Sequence, residues 1–189
     1  MAIRIWKDAE VWISHELAAV VNPDGTFGED WAHTGLLNGG SEIGQEFDTN
    51  RVEVPSWGGK IRVTDQNFRK DTRTFSALDD NETTFGLIWP DSEFVETGST
   101  VLRAPNDARV VVAFKTVDQF GRTVIDITRD LANVYPTAQA KSDEGASATE
   151  FTVEVLPDAT DSLYDRLVVA PGGAPDVQPE VIRIGAGTP

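Results

Sequence analysis

The chain has 189 residues, 40% of them apolar, which is enough for one domain with a proper core and too few for two comfortable ones. It contains no cysteine, so disulfides, thiolate metal sites and cysteine nucleophiles are excluded, and no run approaches the roughly 18 apolar residues of a membrane span. A formal net charge of −15 argues against a nucleic-acid groove or an anionic membrane as partner.

The opening stretch "MAIRIWKDAEVW" has neither the long apolar segment nor the small-residue cleavage site of a signal peptide, so the expectation is a soluble chain made in a cytoplasm. "EVWIS" (10–14) follows as a first candidate strand. Residues 45–75 then offer two β-like runs joined by a polar piece too polar for a core, and they predict a long hairpin reaching away from the body. Within it, Ile61 and Val63 alternate with Lys60, Arg62 and Thr64. Bases gather there (Lys60, Arg62, Arg69, Lys70, Arg73), whereas residues 76–101 carry only acids (Asp79, Asp80, Glu82, Asp91, Glu93, Glu96), as do residues 142–165. Charge segregated in this way can steer copies of one chain into a fixed register.

"FSALDDNETTFGLIWP" (75–90) breaks the period of two. With Asp79 or Asp80 as N-cap, Glu82 stands where it can reach back in a capping box. Phe85, Ile88 and Trp89 then share a face and Pro90 ends a helix of about two and a half turns. The four polar residues lack the alternating spacing and the distal glutamate of a calcium loop, so capping accounts for them better than a cation does.

"RVVVAFKTV" (109–117) is apolar on both faces, as for a strand in the middle of a packed sheet. Asp118 and Gln119 lead into a Phe120-Gly121 hairpin turn. "RTVIDITRD" (122–130) sets Ile125 and Ile127 on one face and Asp126, Thr128 and Asp130 on the other, and "EFTVEV" (150–155) and "DRLVVA" (165–170) close the series. Residues 171–189 read as a Pro/Gly linker, a strand-like "EVIRI" and an end piece, a C-terminal arm on a domain spanning 1–170. The fold class is mainly β, a β-sandwich or partly closed barrel with one short flanking α-helix, a long extended hairpin and terminal arms.

No catalytic apparatus emerges. His15 and His33 lack metal-ligand spacing, no nucleophile elbow or phosphate loop is present, and "WGGK" (57–60) has no helix after it. The expectation is therefore no enzyme, no metal and no cofactor. Five tryptophans (Trp6, Trp12, Trp31, Trp57, Trp89) keep a carbohydrate-binding sandwich as an alternative, against burial in core and interface.

The order of features resembles the tail tube (major tail) proteins of long-tailed bacteriophages, particularly those infecting actinobacteria. It is carried by "WAHTGLLNGGSEIGQEFDTNRVEVPSWGGKIRVT" (31–64), "TFSALDDNETTFGLIWP" (74–90) and, less distinctively, "FTVEVLPDATDSLYDRLVV" (151–169). The resemblance implies a structural virion protein assembled in the host cytoplasm, its hexameric rings stacking into the hollow tail tube through which the genome leaves. Its partners would be copies of itself, with tape-measure and tail-tip or terminator proteins, while DNA passes without specific binding. Under it, Asp118, Asp126, Thr128 and Asp130 are candidates for the lumen wall. Trp57, Lys60, Arg62, Arg69, Lys70, Arg73, Asp79, Asp80, Glu82, Ile182 and Ile184 are candidates for contacts between subunits and rings. A ring-forming tail-completion or head–tail joining protein is a further alternative.

Overall fold

The computed structural model describes residues 5–39, 42–55, 57–58, 61–95, 99–103, 106–141 and 147–172. Among these the architecture is mainly β, a curled nine-stranded sheet that folds back on itself as a partly closed barrel, with a single short helix.

One layer is built on β1 (Trp6–Ser14), which pairs antiparallel with β2 (Ala32–His33) and with β7 (Ala108–Asp118). β7 pairs on its other side with β8 (Thr123–Thr128), and β8 with β11 (Tyr164–Val169). The second layer holds β9 (Ala132–Ala140), β10 (Ala148–Val155), β4 (Ile61–Ala77) and β3 (Gly44–Pro55), all antiparallel in that order. β7 belongs to both: Ala108–Val110 pair with β9 and Val111–Asp118 with β1, so the sheet turns its corner within this strand.

The doubly apolar pattern of 109–117 has its explanation here. Val110, Val112 and Phe114 face the interior between the layers, against Val11, Ile13, Phe75, Phe151 and Val153. Val111 and Ala113 face the other way, onto Ile125, Val21 and Trp31 from the segment that follows β1. Trp12 stacks on Phe27 at 4.4 Å and Trp31 meets Phe27 edge-on, so two of the five tryptophans belong to this second apolar cluster. The β7–β8 turn forms as expected. Gly121 adopts φ +80°, and the Asp118 Oδ1 accepts from the N–H groups of Phe120 (2.8 Å) and Arg122 (3.0 Å).

The helix is α1 (Glu82–Ile88), shorter than the sequence suggested, and its cap differs. Asn81 is the N-cap: its side chain accepts from the Thr84 N–H while the Thr84 hydroxyl accepts from the Asn81 N–H. Asp79 cannot cap because its carboxylate is committed elsewhere, accepting from the Leu36 N–H at 2.8 Å. Gly35 makes this possible. Its φ is +89°, and a Cβ there would lie 2.4 Å from the Asp79 Oδ2. Leu37 bridges to Ala77, so the Gly-Leu-Leu turn and the Ala-Leu-Asp-Asp-Asn stretch are in contact. Glu82, in the first helical turn, still suits the helix dipole, and Leu87 and Ile88 bury against the core. β5 (Glu93–Val95) and β6 (Ser99–Val101) form a separate two-stranded ribbon.

The β3–β4 hairpin is present in register from Gly44↔Thr74 to Pro55↔Ile61. Its base is not the polar overhang the sequence suggested. β10 pairs with β4 from Ala77 to Asp71, and Asp71, Arg73 and Phe75 of that part are buried. Only the part beyond Asp48 and Lys70 extends past the sheet. Thr49 to Pro55 spans seven residues of β3, or about 23 Å of two-stranded ribbon.

Candidate functional site: an exposed ribbon and an interlayer cleft

The projecting ribbon carries exposed aromatic surface. Phe47 at its base and Phe68 within it lie with ring centroids 6.4 Å apart, and Trp57 at the turn is fully exposed. Arg69 beside them is exposed. Strand edges add to this surface. Among the described residues, β3 pairs with β4 alone and β11 with β8 alone. Exposed apolar patches and open edges of this kind are interaction surfaces when they are retained.

The basic residues of the hairpin do not form one cationic face. The Lys70 ammonium bonds Glu154 of the neighbouring strand within the same chain, so part of the charge segregated in sequence is neutralised in the fold. Arg73 is the larger correction. Parity along β4 puts Asp71, Arg73, Phe75 and Ala77 on the inward face, and Arg73 is 6% exposed. Its guanidinium lies over the rings of Phe114 (4.7 Å) and Tyr164 (4.4 Å) and donates to Asp126 at 3.1 Å. It is an interior ion-pair partner, not a surface cation. Lys60, the Arg62 side chain, Ile182 and Ile184 lie outside the described residues. Asp80 and Glu82 are exposed beside Asp79.

Of the lumen candidates, only Asp130 is exposed. The alternation read along β8 is right, and within the strand both of its faces are covered. Ile125 and Ile127 face the cluster formed with Val21 and Trp31, while Asp126 and Thr128 are buried. The Thr128 hydroxyl accepts from the Val112 N–H at 3.0 Å. Asp126 accepts from Arg73 and, bidentately, from Arg166 at 2.6 and 2.9 Å. Asp118, 3% exposed, is spent on its turn. Side chains so engaged present no free carboxylate to a bore.

Arg73 and Asp126 bridge the two layers, and a second bridge lies beside them. Tyr164 of β11 donates to the Asp71 Oδ2 of β4 at 2.7 Å, and Gln45 donates to the same oxygen at 2.7 Å. Burial, with Asp71 as hydrogen-bond acceptor, pushes the Tyr164 phenol well up, so it remains a donor. Burial alone would raise the Asp126 carboxyl. The hydrogen bonds and charges of Arg166 and Arg73 outweigh it and hold that carboxyl below the usual range. Sequence alone could have flagged this network through strand parity: a charge on the same face as Phe75 and Ala77 needs a buried partner.

The network borders a half-open cleft of about 940 Å³ between the layers, where the curled sheet does not close. One lip is the start of β1, the other the start of β3 and the residues before it; Phe75, Phe114 and Val124 line it between them. Among the described residues no group of His, Asp and Glu is arranged to hold a metal ion, and no helix is long and apolar enough to cross a membrane.

No family model matches the chain, and no curated protein matches it in sequence. Among solved structures it is similar to a chain of an extracellular contractile injection system, the PVC sheath-tube complex in its extended state. The TM-score is 0.42 at 10% identity, over 86% of this chain and 88% of that one. Likeness at that level is a loose one of shape.

Proposed function

We propose that this chain is a structural virion protein that self-assembles into stacked hexameric rings, forming a phage tail tube that conducts the genome. The observation that carries the reading is the two-stranded ribbon projecting about 23 Å beyond the sheet, tipped by an exposed tryptophan and flanked by an exposed aromatic pair. Burying these groups requires another molecule, and in a homopolymer that molecule is a further copy. Edges on β3 and β11 that have no second strand among the described residues give the layers places to continue from one subunit into the next. A net charge of −15 suits a conduit that must let nucleic acid slide without holding it. Arg69 and Trp57 are then contacts between subunits, with Asp80 and Glu82 as acidic counterparts. Tape-measure and tail-tip or terminator proteins are the further partners that the family resemblance implies.

The test is a variant in which residues 50–66 are replaced by a two-residue turn. Sedimentation should show that it no longer forms the particles of the full chain, while its circular dichroism and urea midpoint stay close to those of the parent. Undiminished assembly by this variant would refute the role given to the ribbon.

A further inference from the structure

We infer that Asn38-Gly39, a turn on the lip of the interlayer cleft, is a site of spontaneous covalent modification, at which the Gly39 amide closes on the Asn38 side chain and leaves aspartate or isoaspartate in its place. The chemistry needs an asparagine followed by a residue whose backbone nitrogen can reach the side-chain carbonyl carbon. Asn38 is the only asparagine of this chain that precedes glycine. Every other is followed by proline, which has no N–H, or by a residue whose side chain crowds the approach.

The fold holds this pair open. Asn38 ends a strap laid beside the last residues of β4. The Leu36 N–H donates to Asp79, the Leu78 N–H donates to the Leu36 carbonyl, and Leu37 bridges to Ala77. The Asn38 N–H donates to the Ser76 carbonyl at 2.8 Å, and the strap stops there. Among the described residues the Gly39 N–H donates to no partner, Gly39 is exposed, and a Cβ placed on it would meet nothing within 4 Å. One half of the reacting pair is thus anchored while the nitrogen of the other is unencumbered, and both line the cleft mouth. A nucleophile tethered to its target in this way acts at a high effective concentration.

A second pair gives the contrast. Asp24-Gly25 has the same spacing and could close with loss of water, but its groups are engaged. The Gly25 N–H donates to the Asn22 carbonyl at 2.9 Å, and Gly25 is buried against Val169 and Ile125. The Asp24 carboxylate accepts from the Thr26 hydroxyl at 2.7 Å and the Thr26 N–H at 3.0 Å. Those bonds hold the Asp24 carboxyl below its usual range, which keeps it ionised and a poor electrophile. Sequence alone offers both pairs; the fold protects one and exposes the other.

The step balances with water as the one co-reactant. The Gly39 nitrogen loses its proton to solvent base and bonds to the Asn38 Cγ, the Cγ–Nδ2 bond breaks, and ammonia leaves behind a cyclic imide. Water then adds to either imide carbonyl, one opening giving aspartate and the other isoaspartate. Both products add a negative charge to a lip that already carries Glu42. Isoaspartate also inserts a methylene into the backbone directly after the last bond of the strap.

The test is peptide mass spectrometry of the full chain after incubation in mildly alkaline buffer, with and without guanidinium chloride. In buffer, the peptide containing Asn38 should convert to two products of equal mass, the aspartyl and isoaspartyl forms, while the peptide containing Asp24 stays unchanged. In denaturant the Asp24 peptide should begin to yield its isoaspartyl isomer. Gly39→Ala, which the open space at this position accommodates, should slow conversion at residue 38 at least about tenfold in buffer. An Asn38 peptide that stays intact in the folded chain would overturn the inference, whether or not it reacts in denaturant. Conversion of other asparagines at the same rate, or a Gly39→Ala rate equal to that of the parent, would overturn it as well.

Discussion

The ion pair between Arg73 and Asp126 gives the most demanding test of the interior described here. Asp126→Ala removes the acceptor of three hydrogen bonds and leaves the Arg73 guanidinium, its side chain 7% exposed, with only Asp71 at 3.7 Å. A buried charge stripped of its partner costs about 3–5 kcal/mol. With a urea m-value of about 2 kcal/mol/M for a chain of this size, the midpoint should fall by about 1.5–2.5 M. Arg166→Ala removes the other partner of Asp126, but that guanidinium stands largely in water, so its loss should cost less than about 1 kcal/mol. Replacing both buried charges by apolar groups, as Arg73→Met/Asp126→Leu, should recover most of the Asp126→Ala loss. The assay is urea unfolding followed by tryptophan fluorescence. A midpoint shift below about 0.5 M for Asp126→Ala, or one equal to that of Arg166→Ala, would refute the claim that this pair holds the layers together.

Acid should act on the same site. Because the Asp126 carboxyl is held down in the folded chain, the unfolded chain binds more protons between the two pKa values. The contribution of Asp126 is complete above the unfolded value of about 3.9 and is lost as pH falls through the lowered folded one. Below about pH 4, urea midpoints of Asp126→Asn should therefore decline less steeply than those of the parent. Asn81→Ala removes the side-chain acceptor of the helix cap, leaving the backbone half to Thr84, and should cost about 1 kcal/mol by the same assay, whereas Asp80→Ala should cost nothing measurable. Phe151→Ala takes a fully buried ring from its stack on Phe75, centroids 5.0 Å apart, and should cost about 3–5 kcal/mol. Reversing Arg69 to Glu should slow assembly by light scattering and leave the urea midpoint unchanged; an equal effect from Lys70→Glu would show that its bond to Glu154 does not shield it from the interface.

The parts of the fold that were legible in sequence are those governed by backbone period and turn chemistry. Several strands, the β7–β8 turn at Gly121, the doubly buried 109–117 strand and the existence of the hairpin follow from local pattern, whereas β9, which carries Pro136 and joins β7 to β10, gave no such signal. Pattern does not say which layer a face meets. The acidic face of 122–130 supplies lumen-wall candidates under the family resemblance, yet Asp126 is drawn inward by Arg73, a residue 53 positions away in sequence. The helix cap was misplaced for a similar reason. Asp79 has the right chemistry for a cap, but a long-range bond to the Leu36 N–H takes it, and Asn81 caps instead. A charge list treats Arg73 and Arg69 alike, and so does strand parity; the end of the β10 pairing at Asp71 and the β3–β4 bulge at Arg69 separate them, burying one and exposing the other. The cleft is a consequence of how far the sheet curls, and no local signal encodes that.

The central claim is assembly, and negative-stain electron microscopy of the purified full chain across a concentration series, with sedimentation on the same samples, tests it most directly. The account predicts six-fold rings and hollow tubes whose abundance rises with concentration. Particles that remain monomers at every concentration would contradict it.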